Sequence, residues 1–309
     1  MSRWSGTDIP DQTGRTVLVT GANSGLGLQT ATALAMRGAT VLLGCRDAQR
    51  GRAALDRVRS ASGAADATLI HLDLTDLSSV RKAADEVRSI TGDRLDVLVN
   101  NAGVMATPAR RTADDFELQI GTNHLGHVAL TWLLGPALGP GTRVVTVSSL
   151  AHRGGGLDLD DLNFRKRRYN PAVAYSASKL ANLLFTFELD RRARSAGRNL
   201  LAVAAHPGLT DTDLGLNTAR MYRVEPLARV LRWGYKLVAQ GVARGALPQL
   251  YAATALDVRS GEFFGPTSLG ETRGTPGRVA ASATARDEGI ARLLWERTAE
   301  LTGVTPHPE

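Results

Sequence analysis

The chain has 309 residues, 43% hydrophobic and 22% charged, which excludes disorder as the main state and gives length enough to bury a large core without staples. Its one cysteine, Cys45, rules out an internal disulfide framework and argues against a cysteine-based zinc site. The net charge of +7 is carried by 33 arginines and four lysines (Lys82, Lys166, Lys179, Lys236) dispersed along the chain without a DNA- or RNA-binding motif, so no nucleic-acid partner is expected.

The N-terminal segment MSRWSGTDIPDQTG is polar, so no secretory signal is read there, and no apolar run approaches the roughly 18 residues of a membrane span. A cytoplasmic chain is expected. From residue 16 onward, short apolar runs alternate with helical patterns. TVLVT at 16–20 is a β-branched strand, and after GANSGLG comes a helix with Leu28, Ala31, Leu34 and Ala35 on one face. A second strand at 40–43 precedes a polar helix at 47–61, and a third at 68–72 precedes a helix opening near Asp76 and Ser78. A fourth strand, 95–99, leads to a long helical stretch over 113–134. A fifth, 143–147, leads to a helix at 173–195; a sixth is at 200–204 and a short seventh at 262–264. Strands this continuously apolar imply a parallel sheet covered on both faces. The alternation predicts an α/β fold, a single-domain Rossmann-type doubly wound parallel sheet of about seven strands with helices on both faces. It spans residues 1–309, with a cofactor half at 14–150, a catalytic and substrate half at 151–309, and a less regular region at 207–245.

The first strand runs directly into Gly21-Ala22-Asn23-Ser24-Gly25-Leu26-Gly27. Gly21 suits the tight turn, Gly25 lets backbone N–H groups approach a pyrophosphate, and Gly27 lets the helix pack closely on the strand. The helix N-terminus adds free donors and a partial positive charge. The second strand ends Gly44-Cys45-Arg46, where an acid would bind the ribose of NAD. Arg46 there suits a 2′-phosphate, so NADP(H) is preferred, although Asp47 follows directly and leaves NAD(H) open. Tyr175 and Lys179 stand four apart on one helical face. A phenol has a pKa of about 10 and is a poor base at neutral pH; a nearby ammonium stabilises the phenolate and makes proton exchange with a carbonyl or alcohol oxygen feasible.

Taken in order, these residues resemble the short-chain dehydrogenase/reductase family over most of the chain. TGANSGLG at 20–27 is similar to its cofactor loop, Asp73-Leu74 to the pair that touches adenine, and Asn100-Asn101-Ala102-Gly103 to its NNAG motif. The resemblance implies that Asn123, Ser149, Tyr175 and Lys179 are catalytic, with Asn123 holding a water that links Lys179 to solvent, and that Pro207, Gly208, Thr210 and Thr212 contact the nicotinamide amide. It implies cofactor contacts from Gly21, Asn23, Ser24, Gly25, Leu26 and Gly27 as well. SSLAH at 148–152, YSASKLANLLFTFEL at 175–189 and AHPG at 205–208 resemble the retinol dehydrogenase and protochlorophyllide reductase-like branch. Ser149 and Tyr175 lie 26 residues apart, about twice the usual family spacing, so 152–171 is expected to lie beside the active site. Membrane-bound relatives carry an N-terminal anchor, which is not read here. Dimers or tetramers through the helices at 113–134 and 173–195 are implied, with a monomer left open.

The expected function is an NADP(H)-dependent oxidoreductase moving a hydride between nicotinamide and a carbonyl/alcohol substrate, with Tyr175 as general acid/base and Ser149, His152 and Tyr175 facing a lipophilic substrate. Reduction of an activated C=C bond and a catalytically silent NAD(P)-sensing protein are the alternatives. His124 and His127 lack a third ligand and a nearby carboxylate, so packing rather than a metal site is expected, and His206 reads as a hydrogen-bonded strand-end residue. Trp233, Tyr235 and Leu237 suit either an apolar pocket or a helix hairpin, while Leu293, Leu294 and Trp295 suit a terminal helix packing on the body.

Overall fold

The computed structural model describes residues 4–63, 66–210 and 239–308. Eight strands form one sheet: β1 Thr16–Thr20, β2 Thr40–Cys45, β3 Ala67–His71, β4 Val97–Asn100, β5 Arg143–Val147, β6 Leu201–Ala205, β7 Phe263–Ser268 and β8 Arg273–Arg278. Their order is β3-β2-β1-β4-β5-β6-β7-β8, parallel throughout except for β8, which returns antiparallel on β7. The chain crosses from β3 over β2 and β1 to β4, so the winding reverses between β1 and β4; in such sheets ligands lie outside the strands' carboxyl ends at that point.

Side chains alternate between the two faces of each strand, and each face has its own helices. Val17, Val19, Val41, Leu43, Val97 and Val99 share a core with α1 (Gly25–Ala35), α2 (Ala48–Ser62) and α6 (Leu247–Thr254). Leu18, Leu42, Ile70, Leu98 and Val144 face α3 (Leu77–Thr91), α4 (118–133) and α5 (Pro171–Ser195). A third cluster joins α4 and α5 to the C-terminal helix α7 (Glu288–Thr302). In the second cluster, Trp295 of α7 stacks on Phe185 at 5.7 Å and meets Trp132 edge-on at 4.8 Å, as expected for a terminal helix packed on the body.

Local chemistry sets the helix ends. Asp47, Asp76, Asn170 and Asp287 accept backbone N–H groups at the starts of α2, α3, α5 and α7. Three differences from the sequence reading have clear causes. The stretch 113–117 is not helical, because Glu117 caps the helix by accepting the N–H groups of Gln119 and Ile120. Within α4, residues Gly121–Leu125 form a π-helical turn that places Asn123. The eighth strand, RGTPGR, carries no apolar alternation because it is an edge strand rich in glycine. Trp233, Tyr235, Leu237 and Thr212 lie outside the described residues. No helix among the described residues is long and apolar enough to cross a membrane.

The segment 152–171 docks on the start of α4. Tyr169 Oη lies 3.1 Å from Glu117 Oε1 and accepts from Gln119 Nε2 (2.9 Å), Asn163 Oδ1 accepts the Glu117 N–H (2.8 Å), and Arg165 pairs with Asp115. At its other end, Gly155 lies against the backbone of Ser176, beside Tyr175.

Candidate active site

The glycine loop is shaped for close approach. Gly21 and Gly25 take positive φ (67° and 54°), which L side chains adopt at a cost. A Cβ at Gly27 would stand 2.4 Å from the Gly21 carbonyl oxygen, so only glycine lets α1 sit this close to the turn. Ser24 occupies the N-cap of α1 without making a side-chain cap, which leaves the first N–H groups of that helix aimed at the loop. Leu26 is half-buried, and Leu74 is buried behind Asp73, whose carboxylate accepts from Thr75. Arg46 is exposed just beyond β2, and Asp47 beside it is engaged as the cap of α2, accepting from Gln49 and Arg50 at 3.0 Å each. Sequence reasoning missed Arg50. With the Asn23 amide oxygen turned toward α2, Asn23 accepts from Arg50 Nε and Nη2 (3.3 and 3.2 Å), so this cation borders the loop four residues after Arg46.

The NNAG residues lock the ends of β1 and β4 together. Thr20 Oγ1 accepts the N–H groups of Asn101 and Ala102 (2.9 Å each), and Asn101 Nδ2 donates to Thr20 O (2.8 Å). Asn100 Nδ2 donates to Thr131 Oγ1 in the interior. At Gly103 an added Cβ would stand 3.2 Å from Asn123 Oδ1 and 3.6 Å from Lys179 Nζ, so this glycine marks where the two side chains converge. Asn123 is fully engaged: Nδ2 donates to Val104 O and Ser178 Oγ (2.9 Å each), and Oδ1 accepts the Val104 N–H (2.8 Å). His127 supports it from behind. Burial pushes the His127 imidazole down to about 3, so the ring is neutral at physiological pH. Its Nδ1–H donates to Asn123 O (3.1 Å) and its Nε2 accepts from the Thr20 hydroxyl (2.9 Å), tying the π turn to the glycine loop.

Tyr175 and Lys179 sit in the first turns of α5, with Nζ 5.9 Å from the phenol ring centroid. Lys179 is 4% exposed and donates to Val147 O at 3.0 Å, two residues before Ser149. Burial alone pushes its ammonium down to about 8, and among the described residues no carboxylate pairs with it. Ser148 Oγ donates to Lys179 O (2.8 Å), a second tie between the end of β5 and α5. Ser149 Oγ accepts the Ala151 N–H (3.2 Å), leaving its own O–H to donate. The position of His152 differs from the expected one. It is buried, its Nδ1–H donates to Ser149 O (2.7 Å), and its Nε2 accepts the Ser282 N–H (3.3 Å), so both nitrogens are engaged by the protein backbone. His124 sits 3.2 Å from Thr298 Oγ1 under α7, a packing position. His206, at the end of β6, accepts the Gly208 N–H on Nδ1 (3.2 Å), and Thr210 Oγ1 donates to Pro207 O (2.8 Å).

These features fit a dinucleotide: a glycine cradle, an uncapped helix start at the sheet's switch point, and a buried ammonium with no counter-ion among the described residues. The family model for short chain dehydrogenases matches residues 15–222, and the chain belongs to the short-chain dehydrogenase/reductase family of NAD(P)-dependent oxidoreductases. Within it, the chain falls in the retinol dehydrogenase-like branch. It is 39% identical to Retinol dehydrogenase 13 of Homo sapiens over 295 residues, covering 94% of this chain and 85% of that one. It is 38% identical to Polyprenol dehydrogenase of Mus musculus over 303 residues, covering 96% and 86%. A crystal structure of an uncharacterized protein from Mycobacterium paratuberculosis is similar over 98% of both chains, with 46% identity and a TM-score of 0.81. A short chain dehydrogenase from Burkholderia cenocepacia, solved in complex with NADP, matches 73% of this chain and 91% of its own at 26% identity and a TM-score of 0.55.

Proposed function

We propose that this protein is an NADP(H)-preferring oxidoreductase acting on a lipophilic carbonyl/alcohol pair, with Tyr175 as general acid in reduction and general base in oxidation. The observation that carries the reading is the convergence of Asn123 and Lys179 on Gly103, with Lys179 also tied to the strand end that precedes Ser149. A nicotinamide dinucleotide bound on the glycine loop would supply the hydride chemistry. In reduction, the Tyr175 hydroxyl gives its proton to the substrate oxygen as that oxygen gains charge; in oxidation the phenolate takes the proton back. The Lys179 ammonium stabilises the phenolate and donates to ribose hydroxyls. The Ser149 hydroxyl donates to the substrate oxygen and holds it near Tyr175. Asn123 braces the 103–104 backbone against Lys179. Lipophilic substrates are supported by the names of the relatives, which act on retinol and polyprenol. A cytoplasmic setting agrees with the single cysteine, Cys45, which leaves the chain without an internal disulfide.

NADP preference rests on the local charge. Arg46 lies just beyond β2 and Arg50 borders the glycine loop through Asn23, two cations available to a 2′-phosphate, while Asp47 beside Arg46 is committed to capping α2. Arg46→Glu is expected to weaken NADPH binding at least tenfold and to leave NADH within about threefold, since only the phosphate contact reverses sign. Fluorescence titration of both nucleotides against wild type and variant checks this; equal NADH and NADPH affinities in the wild type would remove the preference. A screen of aldehydes, ketones and enones with NADPH then separates carbonyl from C=C reduction, with Tyr175→Phe as the control.

A further inference from the structure

The β7–β8 hairpin contributes a residue that neither the motifs nor the mechanism above uses. Its turn, 269–272, runs through three successive left-handed residues, Leu269, Gly270 and Glu271 (φ 49°, 63° and 66°). Two of these carry side chains, an arrangement that persists only where surrounding contacts hold it. The contacts are specific. Glu271 Oε1 and Oε2 accept from Arg153 Nη2 at 2.8 and 2.9 Å, and Oε2 also lies 3.2 Å from His206 Nε2. Thr272 O accepts the Leu209 N–H at 2.8 Å, and a Cβ at Gly208 would stand 2.4 Å from that same oxygen.

The hydrogen-bond directions agree with one another. Since Nδ1 of His206 accepts from Gly208, the ring hydrogen is on Nε2 and donates to the Glu271 carboxylate. His206 is fully buried, and desolvation keeps it neutral. Arg153 belongs to the short helical turn Leu150–Gly154 that Ser149 caps, and it follows His152, which holds the Ser149 carbonyl. One carboxylate therefore joins the turn behind Ser149 to the loop that begins at His206, two segments that β5 and β6 deliver separately.

We propose that Glu271 is a positioning residue, a clamp that sets the Ser149 turn and the 206–209 loop relative to each other across the mouth of the site. This rests on the roles given to Ser149 and Pro207–Gly208 above. Glutamine at 271 keeps the shape but breaks the chain. Its oxygen can serve Arg153, but its NH2 then faces the Nε2–H of His206, and moving the ring hydrogen to Nδ1 would set Nδ1–H against the Gly208 N–H.

The test is two-bond 1H–15N spectroscopy of the histidine rings and backbone amide spectra of wild type, Glu271→Gln and Arg153→Met. The wild type should show His206 as the Nε2–H tautomer at pH 7. Glu271→Gln should lose that signature and shift both the Ala151 and Gly208 amides, while Gly25–Gly27 stay put. Arg153→Met should also move Gly208, a residue Arg153 does not touch. A silent Gly208 in Arg153→Met, or a Glu271→Gln spectrum like the wild type, overturns the clamp. NADPH affinity, read by fluorescence, should stay within threefold in both variants. Turnover of the carbonyl compound selected by the screen should fall 10–100-fold in kcat with KM within threefold; unchanged kcat in Glu271→Gln overturns the positioning role. Failure of the wild type to bind NADPH would instead overturn the NADP(H)-dependent reading of the site, because the spectra report the clamp without turnover.

Discussion

Tyr175→Phe is expected to lower kcat by about 10²–10⁴-fold, the range that a well-placed proton donor contributes. The change removes one oxygen and keeps the ring 5.9 Å from Lys179, so the fold and the helix start, capped by Asn170, stay as they are. NADPH affinity should remain within about threefold, because the glycine loop and Lys179 are untouched. Loss in kcat without loss of nucleotide binding is the signature of an interaction made in the transition state. Lys179→Met should behave differently. It removes the buried ammonium that donates to Val147 O and, on the proposed reading, both the stabiliser of the phenolate and a ribose contact, so kcat and nucleotide affinity should fall together. Stopped-flow NADPH oxidation and fluorescence titration of the two variants check this. A Tyr175→Phe enzyme with more than a tenth of wild-type kcat would sink the assignment of Tyr175 as the proton donor.

Acidification is expected to unfold the protein well above the carboxylate range. Of the four buried histidines that desolvation pushes down, three shift far: His124 to about 4, His127 to about 3 and His206 to about 4, with His152 moved in the same direction. An unfolded histidine titrates near 6.5, so between that value and the folded value the unfolded chain binds protons the native one refuses. The stability is therefore present above pH 6.5 and is lost as pH falls. At pH 5 each of those three costs about 2 kcal/mol, and the three together approach the whole stability of a typical domain. Lys179 faces His127 with like charge, and Glu271 offsets the effect in part at His206. Glu117, whose burial raises its carboxyl, works the other way, gaining as pH falls. Melting temperatures at pH 7.5, 6.5, 5.5 and 5.0 should drop mainly below 6.5. His124→Phe, which keeps a ring against Phe185, should flatten the slope by about a third. A melting temperature constant from pH 7.5 to 5.0 would contradict this account.

The elements that read cleanly from the sequence are those in which one signal dominates. TVLVT followed by GANSGLG gave both β1 and the loop, because a strand buried on both faces and a turn that excludes side chains leave few choices of residue. Tyr175 and Lys179 stand out by residue type and their spacing of four, whereas Asn123 is singled out only by the family resemblance. What stayed hidden depends on contacts between distant segments. Asp47 reads as a rival to Arg46 until its carboxylate is seen capping α2. His152, three residues after Ser149, is expected from sequence to face substrate; the Ser282 N–H, 130 residues away, instead engages its Nε2. Glu271 has no local pattern at all, since its partners lie 118 and 65 residues back along the chain. The π turn in α4 could have been suspected from the polar run Thr122-Asn123-His124, all buried, but its register needs the backbone.

The seam under α7 bears on how the protein is made. Trp295 closes over Trp132 and Phe185, Thr298 meets His124 across 174 residues, and Arg81 donates to the Thr302 carbonyl from 221 residues earlier. None of these contacts exists until α7 has been synthesised, although the glycine loop and strands β1–β6 are complete long before. A nascent chain stopped short of residue 288 would therefore present tryptophan, phenylalanine and leucine side chains of α4 and α5 to solvent, the kind of surface that chaperones hold and proteases find. Late closure by α7 makes translation past that helix the step at which the chain ceases to be a client of quality control.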